Sequence, residues 1–378
     1  MRALRQRALD PRPGVDPVSL AEPATPQKLP EQLRFADETL PGLRRRRYGK
    51  RYHYYRVDGE RIHDEEDIRR INALAIPPAW EQVWICADPC GHLQATGRDA
   101  RGRKQYRYHP LWREVRDCSK YGRLLAFGEA LPRIRRQAEQ HLQLAGLGRD
   151  KLLASALTLL DQTLIRVGNR RYARENRSYG LTTLRNRHVS LSGSAIRLRF
   201  RGKSGVEHQV TLRDARLARI VRRCMELPGQ QLFQYLDEQG QRRSLSSGDI
   251  NDYLRRLGGA DFSAKDYRTW AGSALALALL RGKAPENDTQ GRKVLAETVK
   301  EVASQLRNTP AVCRTCYIHP QIIDAYLQGR LAGLAPARRR RWLDASEALL
   351  VRFLKSAAAR ETYGQSDPVE LLPAAEVE

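Results

Sequence analysis

Leu306 to Pro320 reads LRNTPAVCRTCYIHP, and two chemistries compete for it. Cys313-Arg-Thr-Cys316 has the local spacing of a zinc or redox site, whereas Tyr317 beside it could be a nucleophile. A structural zinc site needs a second pair of ligands. The remaining cysteines are Cys86, Cys90, Cys118 and Cys224, of which only Cys86 and Cys90 form a spaced pair. No thioredoxin-like βαβ pattern surrounds Cys313. The cysteines therefore read as small buried side chains, with no metal and no cofactor implied. Tyr317 by itself reads as a packing residue near a helix end, so its meaning depends on the residues that accompany it.

Charge narrows the partner. Across 378 residues, Lys and Arg number 67 against 43 Asp and Glu, a net charge of +24. A surplus of that size repels itself unless a polyanion neutralises it. Nucleic acid gains affinity from each phosphate neutralised, through released counterions. A membrane partner fits less well. The longest apolar run, Ala274 to Leu280 (ALALALL), is far too short to span a bilayer. The basic start, MRALRQRALDPRPGVDP, lacks the apolar core of an export signal. Six cysteines do not make a disulfide scaffold and fit a reducing, cytoplasmic compartment.

The pattern along the chain is that of an α+β protein. Residues 1–33 are crowded with proline and read as a disordered tail. Residues 34–115 alternate in short β-type bursts (YHYYRV, VWICAD, HLQATG, KQYRYH) around one helical piece, Glu65 to Leu74; this is a small β-rich domain. Residues 116–360 form a larger, mainly helical domain. In Lys151 to Arg166 the residues Leu153, Leu157, Leu160 and Leu164 line one face of a helix, as do Leu295, Val299, Val302 and Leu306 in Asp288 to Leu306. Between them HVSL, AIRLRF and HQVTL, separated by SGS and GKSG turns, make a small antiparallel sheet. Residues 361–378 are acidic and fray.

Tyr317 gains meaning from its company. Arg166 follows an apolar helical run and precedes Gly168, a natural helix stop that would turn the guanidinium into a cleft. Lys203 sits between Gly202 and Gly205 at the tip of a predicted hairpin. Arg268 opens the strongly apolar helix of AKDYRTWAG. Two guanidinium groups converging on one phosphorus would stabilise its negative charge as a metal does. Asn308, before Thr309-Pro310, is a typical residue just past a helix end, and its amide can still donate to an anion.

Taken together, IRVGN…Y.REN..YGLTTLRNRHV, RGKSG..H, KDYRTW and NTPAVCR..YIHP resemble the type IB DNA topoisomerases, most closely the compact bacterial and poxvirus-type enzymes. The resemblance spans about residues 33–355. It implies that Tyr317 attacks a DNA phosphodiester to give a 3′-phosphotyrosine and a free 5′-hydroxyl, with Arg166 and Arg268 clamping the five-coordinate transition state. It makes Lys203 the general acid for the departing 5′-oxygen, Lys265 a second aid to that protonation and Tyr172 a DNA contact. Asn308 departs from the histidine of viral and eukaryotic members; an amide donates a neutral hydrogen bond but cannot titrate. The resemblance further implies relaxation of positive and negative supercoils without ATP or metal, by a monomer acting on double-stranded DNA at the nucleoid.

In the small domain, GRKQYRYH predicts a strand with aromatics on one face and cations on the other. The matching family segment docks in the major groove, which assigns DNA contact to Gln105, Tyr106 and Tyr108. The runs Arg44 to Arg47 and Arg338 to Arg341 read as solvated faces. Two alternatives stand beside the topoisomerase reading. A tyrosine recombinase shares the chemistry but usually shows His-x-x-Arg where this chain has Lys265-Asp-Tyr-Arg268. A basic DNA-binding protein without catalysis would explain the charge but not the five-residue set.

Overall fold

A computed structural model describes residues 31–49, 51–100, 102–112, 120–237 and 239–356. The segments read as a proline-rich tail and a frayed acidic end fall almost wholly outside the described residues. The chain divides into two compact units between residues 115 and 116.

In the first unit, β1 (Arg44–Tyr48) and β2 (Arg51–Tyr55) form a hairpin. Helix α1 (Glu65–Ala73) follows, capped by the Asp64 carboxylate, which accepts from the Asp67 backbone N–H. Strands β3 (Glu81–Ile85), β4 (Leu93–Arg98) and β5 (Lys104–Tyr108) make an antiparallel sheet in that order. A small core of Leu43, Tyr54, Ile62, Ile71, Ile85 and Ala95 joins these elements. The run Arg44 to Arg47 is not simply a solvated face: it is strand β1. Strand alternation turns Arg45 inward, where it donates to the carbonyls of Ile76, Pro77 and Trp80 at 2.7–3.1 Å. Arg338 to Arg341 are exposed throughout.

The second unit is mainly helical. Helices α2 (Leu124–Leu142), α3 (Arg149–Thr163) and the short α4 (Arg170–Glu175) precede an antiparallel sheet of β6 (Val189–Ser192), β7 (Ala195–Arg201) and β8 (Glu207–Arg213). Helix α5 (Ala215–Glu226), a hairpin of β9 (Gln234–Leu236) and β10 (Arg242–Ser244), and α6 (Ser247–Gly258) lead to α7 (Ala264–Leu280). Then come α8 (Asp288–Leu306), α9 (Pro310–Cys316), α10 (Pro320–Leu327) and α11 (Ala345–Lys355). Among the described residues no helix is long and apolar enough to cross a membrane.

Two helices depart from the amphipathic reading. Helix α3 is buried on nearly every side, because Ala154, Ser155 and Ala156 let neighbours approach the face opposite its leucines. It also ends at Thr163, earlier than the apolar spacing indicates, with Leu164 in the left-handed region at φ 53°. Helix α7 is buried along most of its length. The Trp270 ring packs where Gly128 of α2 has no side chain; a Cβ there would lie 2.1 Å from the ring.

The far side of α7 is fastened by one arginine. Arg135 of α2 pairs with both carboxylate oxygens of Asp161 at 2.6 and 2.8 Å and with those of Glu347 at 2.7 and 2.8 Å. It also donates to the Trp342 carbonyl at 2.6 Å, and Glu347 in turn accepts from the Trp270 indole N–H at 3.1 Å. Removing the arginine leaves two largely buried carboxylates without their counter-ion. Arg135→Met should therefore destabilise the folded chain by about 3 kcal/mol, measured as a drop in the denaturant midpoint. Glu347→Gln, which retains a hydrogen-bond acceptor for Trp270, should cost less.

Candidate active site

Arg268 is the most deeply placed cation of the site, on the second turn of α7 and 5% exposed. The helix starts where it does because Ser263 and Asp266 form a capping box. Arg268 is held by backbone oxygens: Nη1 donates to the Leu164 carbonyl and Nη2 to the Leu306 carbonyl at 2.7 Å. These oxygens lie at the C-terminal ends of α3 and α8, where the helix leaves carbonyls without internal donors. Its Nε is buried with no hydrogen-bond partner among the described residues.

Arg166 stands two residues beyond the αL turn at Leu164, so the turn that delivers it is made at Leu164 and not, as the sequence indicates, at Gly168. Gly168 has another task. At φ 93° it crosses Gly180 so closely that a Cβ on Gly180 would lie 2.5 Å from the Arg166 carbonyl and 2.6 Å from Gly168. The crossing is sealed by Leu181 N–H to the Arg166 carbonyl and Thr182 N–H to the Val167 carbonyl, both 2.8 Å. The two glycines of IRVGN…YGLTT thus fix the backbone from which Arg166 projects.

Tyr317 caps the C-terminus of α9 and is 7% exposed. Arg166 Nη1 is 3.4 Å from its hydroxyl oxygen, and the Arg268 guanidinium carbon lies 5.0 Å from its ring centre. The tyrosine packs directly on α7, where Gly272 provides the room: a Cβ there would lie 2.6 Å from the Tyr317 carbonyl oxygen. Ser273 Oγ donates to that carbonyl at 3.3 Å and accepts from the His319 N–H at 3.0 Å. Cys313 is fully buried in the main core, and Cys86 and Cys224 are buried too, but Cys316 is half-buried and Cys90 exposed, so the reading of the cysteines as buried side chains holds for only part of the set. Burial pushes the Cys313 thiol pKa up, against the pull of Arg268 and Arg166. Among the described residues no three His, Cys, Asp or Glu side chains are grouped to hold a metal ion.

Asn308 follows Arg307, which ends α8 in the left-handed region at φ 47°. The Asn308 side-chain oxygen accepts from the Thr309 N–H at 3.1 Å, while its amide nitrogen is buried with no partner among the described residues. Lys203 is exposed at the tip of the β7–β8 hairpin, in a 3₁₀ turn closed by Gly205 at φ 78°. Lys265 is exposed in the first turn of α7, three residues before Arg268. The backbone of Tyr172 lies in α4; its side chain is outside the described part.

Two residues join this group that the sequence reading did not single out. Arg307 donates to the Gln209 carbonyl at 2.9 Å and so ties the lysine-bearing hairpin to the turn of Asn308. Burial and Arg268 pull its pKa below the ordinary guanidinium value. His208, the last letter of RGKSG..H, lies 6% exposed with its ring stacked on Phe200 at 4.9 Å. Burial, then Arg307, Arg166 and Arg268, push its pKa down to about 4. For Arg166 burial lowers the pKa, the Tyr317 oxygen opposes that, and Arg268 lowers it further. Among the described residues none of Arg166, Arg268 and Arg307 is paired with a carboxylate. The charge is concentrated and left unneutralised, which is the electrostatic form of an anion site.

In the first unit, β5 corrects the expected division of faces. Lys104 shares its parity with Tyr106 and Tyr108, since residues two apart lie on one face of a strand. Accordingly the Lys104 ammonium lies 5.7 Å from the Tyr106 ring centre, and the two tyrosine rings stack at 6.1 Å. Gln105 and Arg107 occupy the other face: Gln105 donates to the Asp99 carboxylate at 2.9 Å and Arg107 to the Ala75 carbonyl at 2.8 Å. Tyr106 is 43% exposed.

Comparison with known proteins places the chain. Residues 109–333 match the family model described as eukaryotic DNA topoisomerase I, catalytic core, and residues 51–99 match that of the bacterial DNA topoisomerase IB N-terminal domain. DNA topoisomerase 1B of Acanthamoeba polyphaga mimivirus is 32% identical over 295 residues, covering 76% of this chain and 88% of the relative. DNA topoisomerase 1B of Vaccinia virus (strain Copenhagen) and DNA topoisomerase I of Monkeypox virus are each 23% identical over 250 residues, covering 65% of this chain and 75% of each relative. With more than half its length on the catalytic-core model, the chain belongs to the type IB DNA topoisomerases.

Proposed function

We propose that this chain relaxes positively and negatively supercoiled double-stranded DNA through a 3′-phosphotyrosine at Tyr317. The observation that carries the assignment is the Arg166 guanidinium 3.4 Å from the Tyr317 hydroxyl, inside a cluster of arginines that has no carboxylate partner among the described residues. A phenol is a weak nucleophile until its proton leaves, and the adjacent guanidinium groups can stabilise the negative charge that develops as it attacks. The Tyr317 hydroxyl gives up its proton to solvent as its oxygen forms the new P–O bond. The bond to the 5′-oxygen breaks, its electron pair stays on that oxygen, and the Lys203 ammonium supplies a proton there. Arg166 and Arg268 hold the non-bridging oxygens as negative charge grows on them. The ester retains the bond energy, so the reverse attack by the 5′-hydroxyl reseals the strand without ATP. The arginines supply the positive charge for which other nucleases use metal ions.

Asn308 fits this scheme as an oxyanion donor, because its buried amide N–H₂ has no hydrogen-bond partner among the described residues. Lys265, on the exposed first turn of the Arg268 helix, assists protonation of the leaving oxygen. Gln105, Tyr106 and Tyr108 touch DNA from the small unit, and Tyr172 does so from the catalytic unit. The net charge of +24 supports residence on the nucleoid in the cytoplasm, where the chain acts as a monomer. The working division is 34–115 for the small DNA-binding domain and 116–360 for the catalytic domain.

Plasmid relaxation in EDTA without ATP tests the whole reading: wild type should relax both signs of supercoil and Tyr317→Phe neither. Inert wild-type protein, or relaxation that needs magnesium or ATP, would sink it. Lys203→Ala should slow cleavage by about 10²–10⁴-fold. That loss should largely vanish on a substrate whose bridging 5′-oxygen is replaced by sulfur, a leaving group that needs no proton. Asn308→Ala should slow cleavage by about 10²-fold with DNA affinity unchanged; a loss of affinity instead would assign it to binding.

A further inference from the structure

Three successive carbonyls, those of Thr315, Cys316 and Tyr317, each accept a hydrogen bond from a side chain of a distant segment. Tyr121 Oη donates to Thr315 at 3.1 Å, Lys120 Nζ to Cys316, and Ser273 Oγ to Tyr317 at 3.3 Å. A peptide plane is rigid. The plane before the Tyr317 Cα contains the Cys316 carbonyl and is pinned by Lys120; the plane after it contains the Tyr317 carbonyl and is pinned by Ser273. With both planes held, the backbone angles of Tyr317 (φ −132°, ψ −7°) are fixed, and only side-chain torsions remain for aiming the hydroxyl.

Lys120 and Tyr121 belong to none of the motifs that carry the catalytic groups. They stand where the chain enters the catalytic unit, almost 200 positions before the nucleophile. Both are buried, at 8% and 3% exposure. The Lys120 ammonium lies 4.2 Å from the Tyr121 ring centre, and that ring meets His319 edge-on at 5.0 Å. The pair therefore clasps the nucleophile segment from both sides of Tyr317. A cation at the last carbonyls of a helix is also favoured by the helix dipole, and α9 ends without the left-handed glycine that often satisfies such groups.

From this arrangement we infer that Lys120 and Tyr121 are positioning residues for the nucleophile: they set the backbone of Tyr317 so that its oxygen stands in line with the phosphorus. The inference rests on Tyr317 being the nucleophile. Displacements of an ångström at a reacting atom can cost about two orders of magnitude in rate.

The test is single-turnover cleavage of a duplex that traps the covalent adduct, using wild type, Lys120→Met, Lys120→Arg and Tyr121→Phe. DNA affinity is measured with each change placed in a Tyr317→Phe background. Lys120→Met should lower the cleavage rate constant by about 10- to 100-fold with the final adduct yield and DNA affinity retained, and Lys120→Arg should recover most of the rate. Tyr121→Phe, which removes one hydroxyl and leaves the ring packed, should slow cleavage roughly 5-fold, about the worth of one hydrogen bond. Religation should slow by the same factor in each variant, because both directions share one transition state. Misfolding would reduce adduct yield rather than the rate constant; if Lys120→Met does so, Tyr121→Phe decides. Unchanged rate constants in Tyr121→Phe, or slowing matched by weaker DNA binding, would overturn the inference. Wild-type protein forming no adduct at Tyr317 would instead overturn the reading beneath it.

Discussion

The site depends on how a buried guanidinium is held without being neutralised. Arg268 is secured by the carbonyls of Leu164 and Leu306, at the C-terminal ends of two different helices. Helix C-termini carry partial negative charge and orphan acceptors, so they can orient a cation while leaving its full unit charge in place. A carboxylate partner would have oriented it equally well and cancelled the field a phosphate needs. The same two helices end in left-handed residues that are not glycine, Leu164 and Arg307. Those turns set the chain that delivers Arg166 on one side and Asn308 on the other. One constraint therefore places three of the five proposed catalytic groups.

The surroundings keep that charge in force. His208 lies among the arginines and is pushed toward neutrality by burial and by Arg307, Arg166 and Arg268, so it fills space beside the lysine hairpin without adding charge of its own at neutral pH. Asn308, which cannot titrate, keeps to the same logic. Helix α7 integrates the parts. Its inner face carries Arg268, leaves room at Gly272 for the tyrosine backbone, and clamps that backbone with Ser273. Trp270 on the same helix reaches Glu347 and through it Arg135. An error in the packing of α7 would move the arginine and the nucleophile together.

Much of this was legible in the sequence because the informative residues are local. The hairpin bearing Lys203 follows from strand alternation and two glycines, and α8 from its leucine and valine spacing. The α+β division follows from where the texture changes. What sequence periodicity could not show was set by tertiary contact. Leu164 continues the apolar spacing of α3 yet lies outside the helix as its left-handed cap, with its carbonyl held by Arg268, about a hundred residues away. The glycine at 168 reads as a helix stop, but its purpose is the crossing with Gly180. On β5, Lys104 and Arg107 look like one set of cations, yet their positions differ in parity and they face opposite ways. Arg45 hides among four arginines, since nothing local marks the one that turns inward to meet the carbonyls of Ile76, Pro77 and Trp80.

The catalytic residues and the residues that support them thus differ in how they are encoded. Arg166, Lys203, Arg268, Asn308 and Tyr317 are proposed to act on a reacting phosphate, whose chemistry would dictate their types, so their identities alone are informative. Their supports act on backbone atoms, and a backbone carbonyl accepts equally from lysine, arginine, serine or tyrosine. Donors of several types would satisfy the Cys316 or Tyr317 carbonyl if the fold delivered them there. The type of such a residue says little, and only its place in the fold reveals it. The proposed nucleophile is consequently conspicuous in the chain, while the contacts that hold its backbone become visible only when segments far apart in sequence are brought together.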